Sequence, residues 1–292
     1  MTVLEYIGIA KNQLVDAGLP PDTAAIDAEV LARHVLGWDI AQYLSDRQNV
    51  APSVFASQYS TVLERRTRRE PVALIIGRRE FWGMEFEVNQ NVLTPRPESE
   101  LLVEETLNLV DERATQRFHL VDIGTGSGCL SVALASELPD IQITATDISH
   151  EALTVAHRNA IRHGVDGRIK WLQTPYLEGV SGTPDVIVSN PPYVSDIEMA
   201  TLPPEVRDFE PRIAFISGPD GLDAIRALLE ITAHGIVPDG HLVMEFGTGQ
   251  LTKIQDAVRG YRQLKVQKIR SDLQGIPRVI VIKRGAISIE VS

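Results

Sequence analysis

His119-Leu120-Val121-Asp122-Ile123-Gly124-Thr125-Gly126-Ser127-Gly128 sets an apolar strand directly against glycines at alternate positions, and Cys129–Leu138 then reads as a helix. Glycine lets a chain turn tightly and approach a ligand closely with a helix N-terminus behind it. A dinucleotide fingerprint would place its third glycine at 129, which is Cys129 here. The tighter spacing suits a ligand with no pyrophosphate to seat. Cys129, in the first turn of the helix, reads as a small packing residue.

Outward from this stretch, strands and helices alternate. Strand character recurs at Gln142–Thr146, Ile169–Leu172, Asp185–Ser189 and His241–Phe246; helical character at Glu151–His163 and Leu222–Ala233. Alternation of this kind predicts a parallel, doubly wound α/β sheet. Val266–Ile269 and Arg278–Ile282 have no helix between them, so an antiparallel pair is expected to close the sheet edge.

Upstream the character changes. Residues 80–88 alternate around Gly83, which predicts a hairpin, and Thr94-Pro95-Arg96-Pro97 stiffens the exit before a helix near Glu98. The first seventy residues read as helices. Asp22 or Thr23 is expected to cap the second, with Ile26, Val30, Leu31 and Val35 on its apolar face and Gly37 as its stop; a third spans Ser53 to about Arg69. The expected division is a helical domain over 1–75, a β-hairpin linker over 76–97 and an α/β domain over 98–292.

Composition narrows the function. Formal net charge is −11, and residues 91–292 hold 19 Lys/Arg against 27 Asp/Glu. Nucleic-acid affinity rests largely on basic side chains, so this balance disfavours nucleic acid as the main partner. Arg65, Arg66, Arg68, Arg69, Arg78 and Arg79 are the exception; they read as a solvated helix face or as a surface for an acidic partner. One cysteine in 292 residues fits a reducing compartment. Glu5, Lys11 and Asp16 interrupt any secretory segment, and no apolar run is long enough for a membrane, so a cytoplasmic location is expected. The seven histidines show no ligand spacing, and no metal is expected.

Two positions carry the chemistry. Asp147, 23 residues after Gly124, ends the second strand, where a carboxylate accepts hydrogen bonds from both hydroxyls of a ribose. Asn190-Pro191-Pro192-Tyr193 follows the apolar strand at 185–189, and ligands of open α/β sheets bind at the carboxyl ends of strands. A planar NH2 group is a poor nucleophile because its lone pair is delocalised, and its two protons need two acceptors. The Asn190 oxygen and the Pro191 carbonyl supply them. Proline adds no competing N–H and stiffens the turn, and Tyr193 can stack on the flat target.

With these residues in view, the chain resembles the bacterial release factor glutamine methyltransferases over nearly its whole length. The resemblance rests on Glu80-Phe81 with Phe86, Val92–Glu98, the glycine loop, Asn190–Tyr193, Glu210-Pro211-Arg212 and Gly218–Gly221. It implies a class I methyltransferase fold, Rossmann-like with an antiparallel closing strand, and S-adenosylmethionine as donor with S-adenosylhomocysteine as product. The implied target is the side-chain amide nitrogen of the glutamine in the Gly-Gly-Gln tip of class I peptide chain release factors. A helical N-terminal domain helping to hold that protein is implied as well. Carried across by position, cofactor contacts fall on Gly124, Thr125, Gly126, Ser127, Gly128, Asp147, Tyr176 and Asn190, and substrate contacts on Asn190, Pro191, Pro192 and Tyr193. Asn190, Pro191 and Tyr193 carry the catalytic roles. The chain departs from the family after its third strand: Thr174-Pro175-Tyr176 stands where an acid followed by an aromatic is usual, leaving Tyr176 as the aromatic wall. Trp171 reads as a strand residue of the core.

A sister family modifies a glutamine on a ribosomal protein and tends to read Pro-Arg-Ser-Pro where this chain has Pro95-Arg96-Pro97-Glu98. An adenine amino methyltransferase on DNA or RNA would use the same turn, because its target nitrogen is also conjugated and doubly protonated. A nicotinamide oxidoreductase leaves residues 190–193 unexplained, and a non-catalytic binding module would show no turnover for Asn190→Ala to remove.

Overall fold

A computed structural model describes residues 1–113 and 118–285, which fall into two compact units. One comprises residues 1–78 with 203–209; the other comprises the described residues of 79–202 with 210–285.

The first unit is helical: α1 (Val3–Asp16), α2 (Pro21–Leu36), α3 (Ile40–Asp46), α4 (Phe55–Thr67), α5 (Val72–Ile76) and a later helical turn, Pro204–Arg207. Thr2 and Glu5 form a reciprocal capping box at the start of α1, each side chain satisfying the other's backbone N–H. Neither Asp22 nor Thr23 caps α2: the helix begins at Pro21, whose missing N–H costs nothing in a first turn. Gly37 ends it in the left-handed region, as expected. Its buried face is Ala24, Ala28, Leu31 and Ala32, while Ile26 is 63% exposed. Of the large apolar side chains read onto this helix, Leu31 is buried and Ile26 is not, and alanines complete the face where helices pack.

The arginine run divides: Arg68, Arg78 and Arg79 are exposed, whereas Arg66 is buried and Arg65 and Arg69 are half-buried in ion pairs. Arg66, 4% exposed, donates to Asp27 at 2.7 Å and to Glu205 at 3.2 Å. Arg69 donates to Glu205 at 2.7 Å, Arg65 to Glu70 at 2.8 Å, and Arg68 pairs with Glu64. Arg66 and Arg69 hold segment 203–209 to the end of α4. Breaking such a pair strands a desolvated charge, so Arg66→Ala should lower the unfolding free energy by roughly 3 kcal/mol in urea titration. A loss within about 0.5 kcal/mol would class the cluster with surface pairs.

The second unit opens on a hairpin of β1 (Arg78–Phe81, all but its first residue) and β2 (Met84–Glu87). Trp82 and Gly83 both have positive φ, 54° and 66°, which gives the right twist to a two-residue turn. Phe81 and Phe86 are buried in the core of the sheet domain with rings 6.1 Å apart. There follow α6 (Glu100–Arg113), β3 (His119–Ile123), α7 (Cys129–Glu137), β4 (Gln142–Asp147), α8 (His150–Arg162), β5 (Ile169–Gln173), β6 (Val186–Ser189), α9 (Asp223–Gly235), β7 (His241–Glu245), α10 (Leu251–Arg259), β8 (Leu264–Ser271) and β9 (Pro277–Arg284).

The sheet order is β5-β4-β3-β6-β7-β9-β8. β3 to β7 are mutually parallel, and β9 runs antiparallel to both β7 and β8. The expected closing pair is present, with the last strand inserted beside β7. β6 and β7 are buried at every position, the mark of strands covered on both faces. Strands advance from β3 through β4 to β5 on one side, and from β6 to β7 on the other. The order reverses between β3 and β6, so a crevice opens at their carboxyl ends.

Candidate active site

The loop after β3 is built for close approach. Gly124, Gly126 and Gly128 have φ of 74°, 56° and 79°, a region that strains any side chain. Gly124 and Thr125 both donate to the Thr146 carbonyl at 2.9 Å, tying the loop to the end of β4. A Cβ on Gly128 would come within 2.9 Å of the Ala156 Cβ, so this glycine serves the packing of α8. At Gly124 and Gly126 a Cβ would meet nothing within 4 Å; that space is open to a ligand.

Beneath the loop, Asp122 is fully buried and accepts from the Thr125 and Ser131 hydroxyls at 2.7 and 2.6 Å. Burial pushes its carboxyl up to about 6, against the pull of those donors. Asn159, also buried, donates to the Ser127 carbonyl at 2.9 Å. The loop is thus braced from inside, and the Thr125 hydroxyl faces Asp122. Burial drives the Cys129 thiol up to about 12, which removes it as a nucleophile.

Asp147 ends β4 and lines the main cavity, about 440 Å³ in volume. Its oxygens accept from the Gly126 and Ser149 amides, each at 2.9 Å, which leaves lone pairs for further donors. The cap of α8 is Ser149, so Asp147 has no capping duty. Burial raises its carboxyl pKa, opposed by those amides.

Gly124, Gly126, Asp147, Tyr176 and Asn190–Pro192 share this cavity. Thr125 and Ser127 line a smaller adjoining pocket with Ser99 and Asn190. Tyr193 sits behind the turn: it lines a third pocket with Arg96 and Asn190, and its hydroxyl donates to Glu245 at 3.3 Å. Burial, then Glu245, raises the phenol pKa, so it stays protonated. Trp171 packs against the sheet core, 6.1 Å from the His157 ring.

The turn is held from several sides. The Asn190 amide nitrogen Nδ2 donates to Ser99 Oγ at 3.0 Å, and Ser99 donates to the buried Glu245 at 2.6 Å. Gln250 Nε2 donates to the Tyr193 carbonyl at 2.8 Å. A Cβ on Gly221 would lie 2.4 Å from that same carbonyl, so only glycine fits beside it. Arg96 grips both oxygens of buried Glu210 at 2.9 and 3.0 Å, clamping the segment after Leu93 to Pro211 and Ile213 across the cavity. Burial raises the Glu210 pKa against the pull of Arg96.

Ser99, Glu245, Asp122 and Asn159 were not singled out from sequence. They act through partners far along the chain, and only the acid preceding the glycine loop carried a local signal. Among the described residues no cluster of three His, Cys, Asp or Glu could hold a metal ion, and no helix is long and apolar enough to cross a membrane.

The methyltransferase small domain family matches residues 98–202, and the PrmC N-terminal domain family matches residues 5–77. A release factor glutamine methyltransferase of Bradyrhizobium diazoefficiens is 36% identical over 264 residues, 90% of this chain and 89% of its own length. The chain belongs to the release factor glutamine methyltransferase family. A relative of the same name from Caulobacter vibrioides is also 36% identical, over 96% of both chains. In fold, the chain resembles the solved hMettl16 catalytic domain, with a TM-score of 0.57, 15% identity and coverage of 90% of this chain and 95% of that one. The family assignment makes the chain a methyltransferase with the class I fold.

Proposed function

We propose that this chain methylates the side-chain amide nitrogen (N5) of the glutamine in the Gly-Gly-Gln tip of class I release factors, in the cytoplasm, with S-adenosylmethionine as donor. The observation that carries the reading is the commitment of Asn190 Nδ2 to Ser99, which leaves the acceptor Oδ1 as the free end of that side chain.

The cavity fits the donor. Its volume of about 440 Å³ lies in the range of small-ligand sites, roughly 300–1,000 Å³. Gly124 and Gly126 leave room for an amino-acid moiety, Asp147 retains lone pairs for ribose hydroxyls, and Tyr176 offers a ring to the adenine. Bound there, S-adenosylmethionine supplies a sulfonium-activated methyl group and leaves as S-adenosylhomocysteine.

The protein's part is alignment. Asn190 Oδ1 and the Pro191 carbonyl accept the two amide protons and turn the nitrogen's faces toward and away from the methyl. Neither is a base, and none is needed to begin transfer: the nitrogen's pair forms the new C–N bond, and the nitrogen then loses one proton to water. Holding reactants in line is worth up to about 7–11 kcal/mol. Pro192 walls the site, and Tyr193 braces the turn from behind. The helical unit, which matches the N-terminal domain family, supplies a second surface for the protein substrate.

Mass spectrometry of release factor after incubation with the chain and donor tests this. A gain of about 14 Da, one methylene, on the tip glutamine is expected. Label found instead on a ribosomal protein, DNA or RNA would overturn the assignment.

A further inference from the structure

We infer that Glu245 is a positioning residue which, through Ser99, fixes the end of the Asn190 carboxamide presented to the target nitrogen. The inference rests on the reading above and deepens it. Ser99 and Glu245 are each 3% exposed, and Glu245 stands at the end of β7, one strand away from the turn after β6.

A count of protons sets the direction. A serine hydroxyl has one, and Ser99 gives it to Glu245 Oε2 at 2.6 Å. Only lone pairs then remain on Ser99 Oγ for Asn190, 3.0 Å away, so the NH2 end must face it. Reversing the carboxamide would set its oxygen against a hydroxyl oxygen whose proton is already placed. The ionised carboxylate, a pure acceptor, thereby sets the direction of the relay. The other oxygen accepts from Tyr193 at 3.3 Å and steadies the far side of the turn.

Protonating Glu245 undoes this. The acid would donate to Ser99, Ser99 would donate to Asn190, and the carboxamide would reverse. An NH2 group would then face a target that needs an acceptor. Burial pushes the Glu245 carboxyl up to about 7; Ser99 and Tyr193 as donors and Arg278 by its charge oppose the rise, and Glu98 adds to it. The Glu245 charge in turn helps raise the Cys129 thiol, which stays neutral. Turnover needs the ionised form, so kcat should climb as pH rises through about 7 and be lost below it.

Three full-length variants test this, with kcat, KM for release factor and cofactor Kd measured for each. Ser99→Ala is expected to lower kcat about 10²-fold, with KM and Kd within about threefold of wild type. Ser99→Thr, which keeps the hydroxyl, should restore most of the loss. Glu245→Gln cannot ionise, so the fall in kcat below pH 7 should vanish. A Ser99→Ala enzyme within about threefold of wild-type kcat, or a Glu245→Gln enzyme keeping that fall, would overturn the inference. Should Glu245→Gln not fold, the Ser99 pair decides. A wild-type chain that methylates no release factor would sink the substrate reading and this inference with it. Normal methylation with an unimpaired Ser99→Ala sinks the inference alone.

Discussion

Asn190→Ala should lower kcat for release factor methylation by about 10³-fold, the upper range for removing one preorganised polar group from a reacting centre. Cofactor Kd should rise no more than about fivefold, because Asp147 and the glycine loop remain. The asymmetry follows from placement. Asn190 borders the main cavity and both small pockets beside it, yet its only hydrogen bond described is to Ser99. Removing it takes one of two acceptors from the target and lets the nitrogen rotate out of line. Single-turnover kinetics with isothermal titration of the cofactor separates the two effects. A loss confined to cofactor affinity, with kcat preserved at saturation, would make Asn190 a binding residue only.

Asp147→Ala should do the reverse. Charge-assisted hydrogen bonds are worth about 1.5–3 kcal/mol, so cofactor Kd should rise by roughly 10- to 150-fold. The same carboxylate holds the Gly126 amide at 2.9 Å, so the loop loses a brace as well as the ligand a partner. At saturating cofactor, kcat should recover to within about fivefold of wild type. An unchanged Kd would mean that the carboxylate serves the loop alone.

The sheet was legible because its strands are covered on both faces and punctuated by glycine and proline. The runs at 119–123, 142–146, 169–172 and 241–246 match strands to within a residue. Asn190–Pro192 and Asp147 were legible because a strand end in an open sheet is a fixed place. Helix faces built of alanine were not: Ala24, Ala28 and Ala32 carry too little apolar bulk to register, while Ile26 registers and is exposed. α10, over Leu251–Arg259, and the short helices α3 and α5 went unread. Within the arginine run, the burial of Arg66 was hidden because its partner Glu205 lies 139 residues away. Distance along the chain hid the relay too. Ser99 and Glu245 are 146 residues apart, and neither sits in a pattern that foretells the other. Gly128 shows a further limit, since spacing groups it with Gly124 and Gly126 while its space is taken by Ala156.

An acceptor-only corner, Asn190 Oδ1 with the Pro191 carbonyl, orients the planar NH2 group. The most direct test is a crystal structure of the chain with S-adenosylhomocysteine and a release factor, or its glutamine-bearing loop. The glutamine nitrogen is expected about 3 Å from both Asn190 Oδ1 and the Pro191 carbonyl, with its open face toward the sulfur. A structure in which those oxygens turn away, or in which the Asn190 NH2 faces the glutamine, would contradict it.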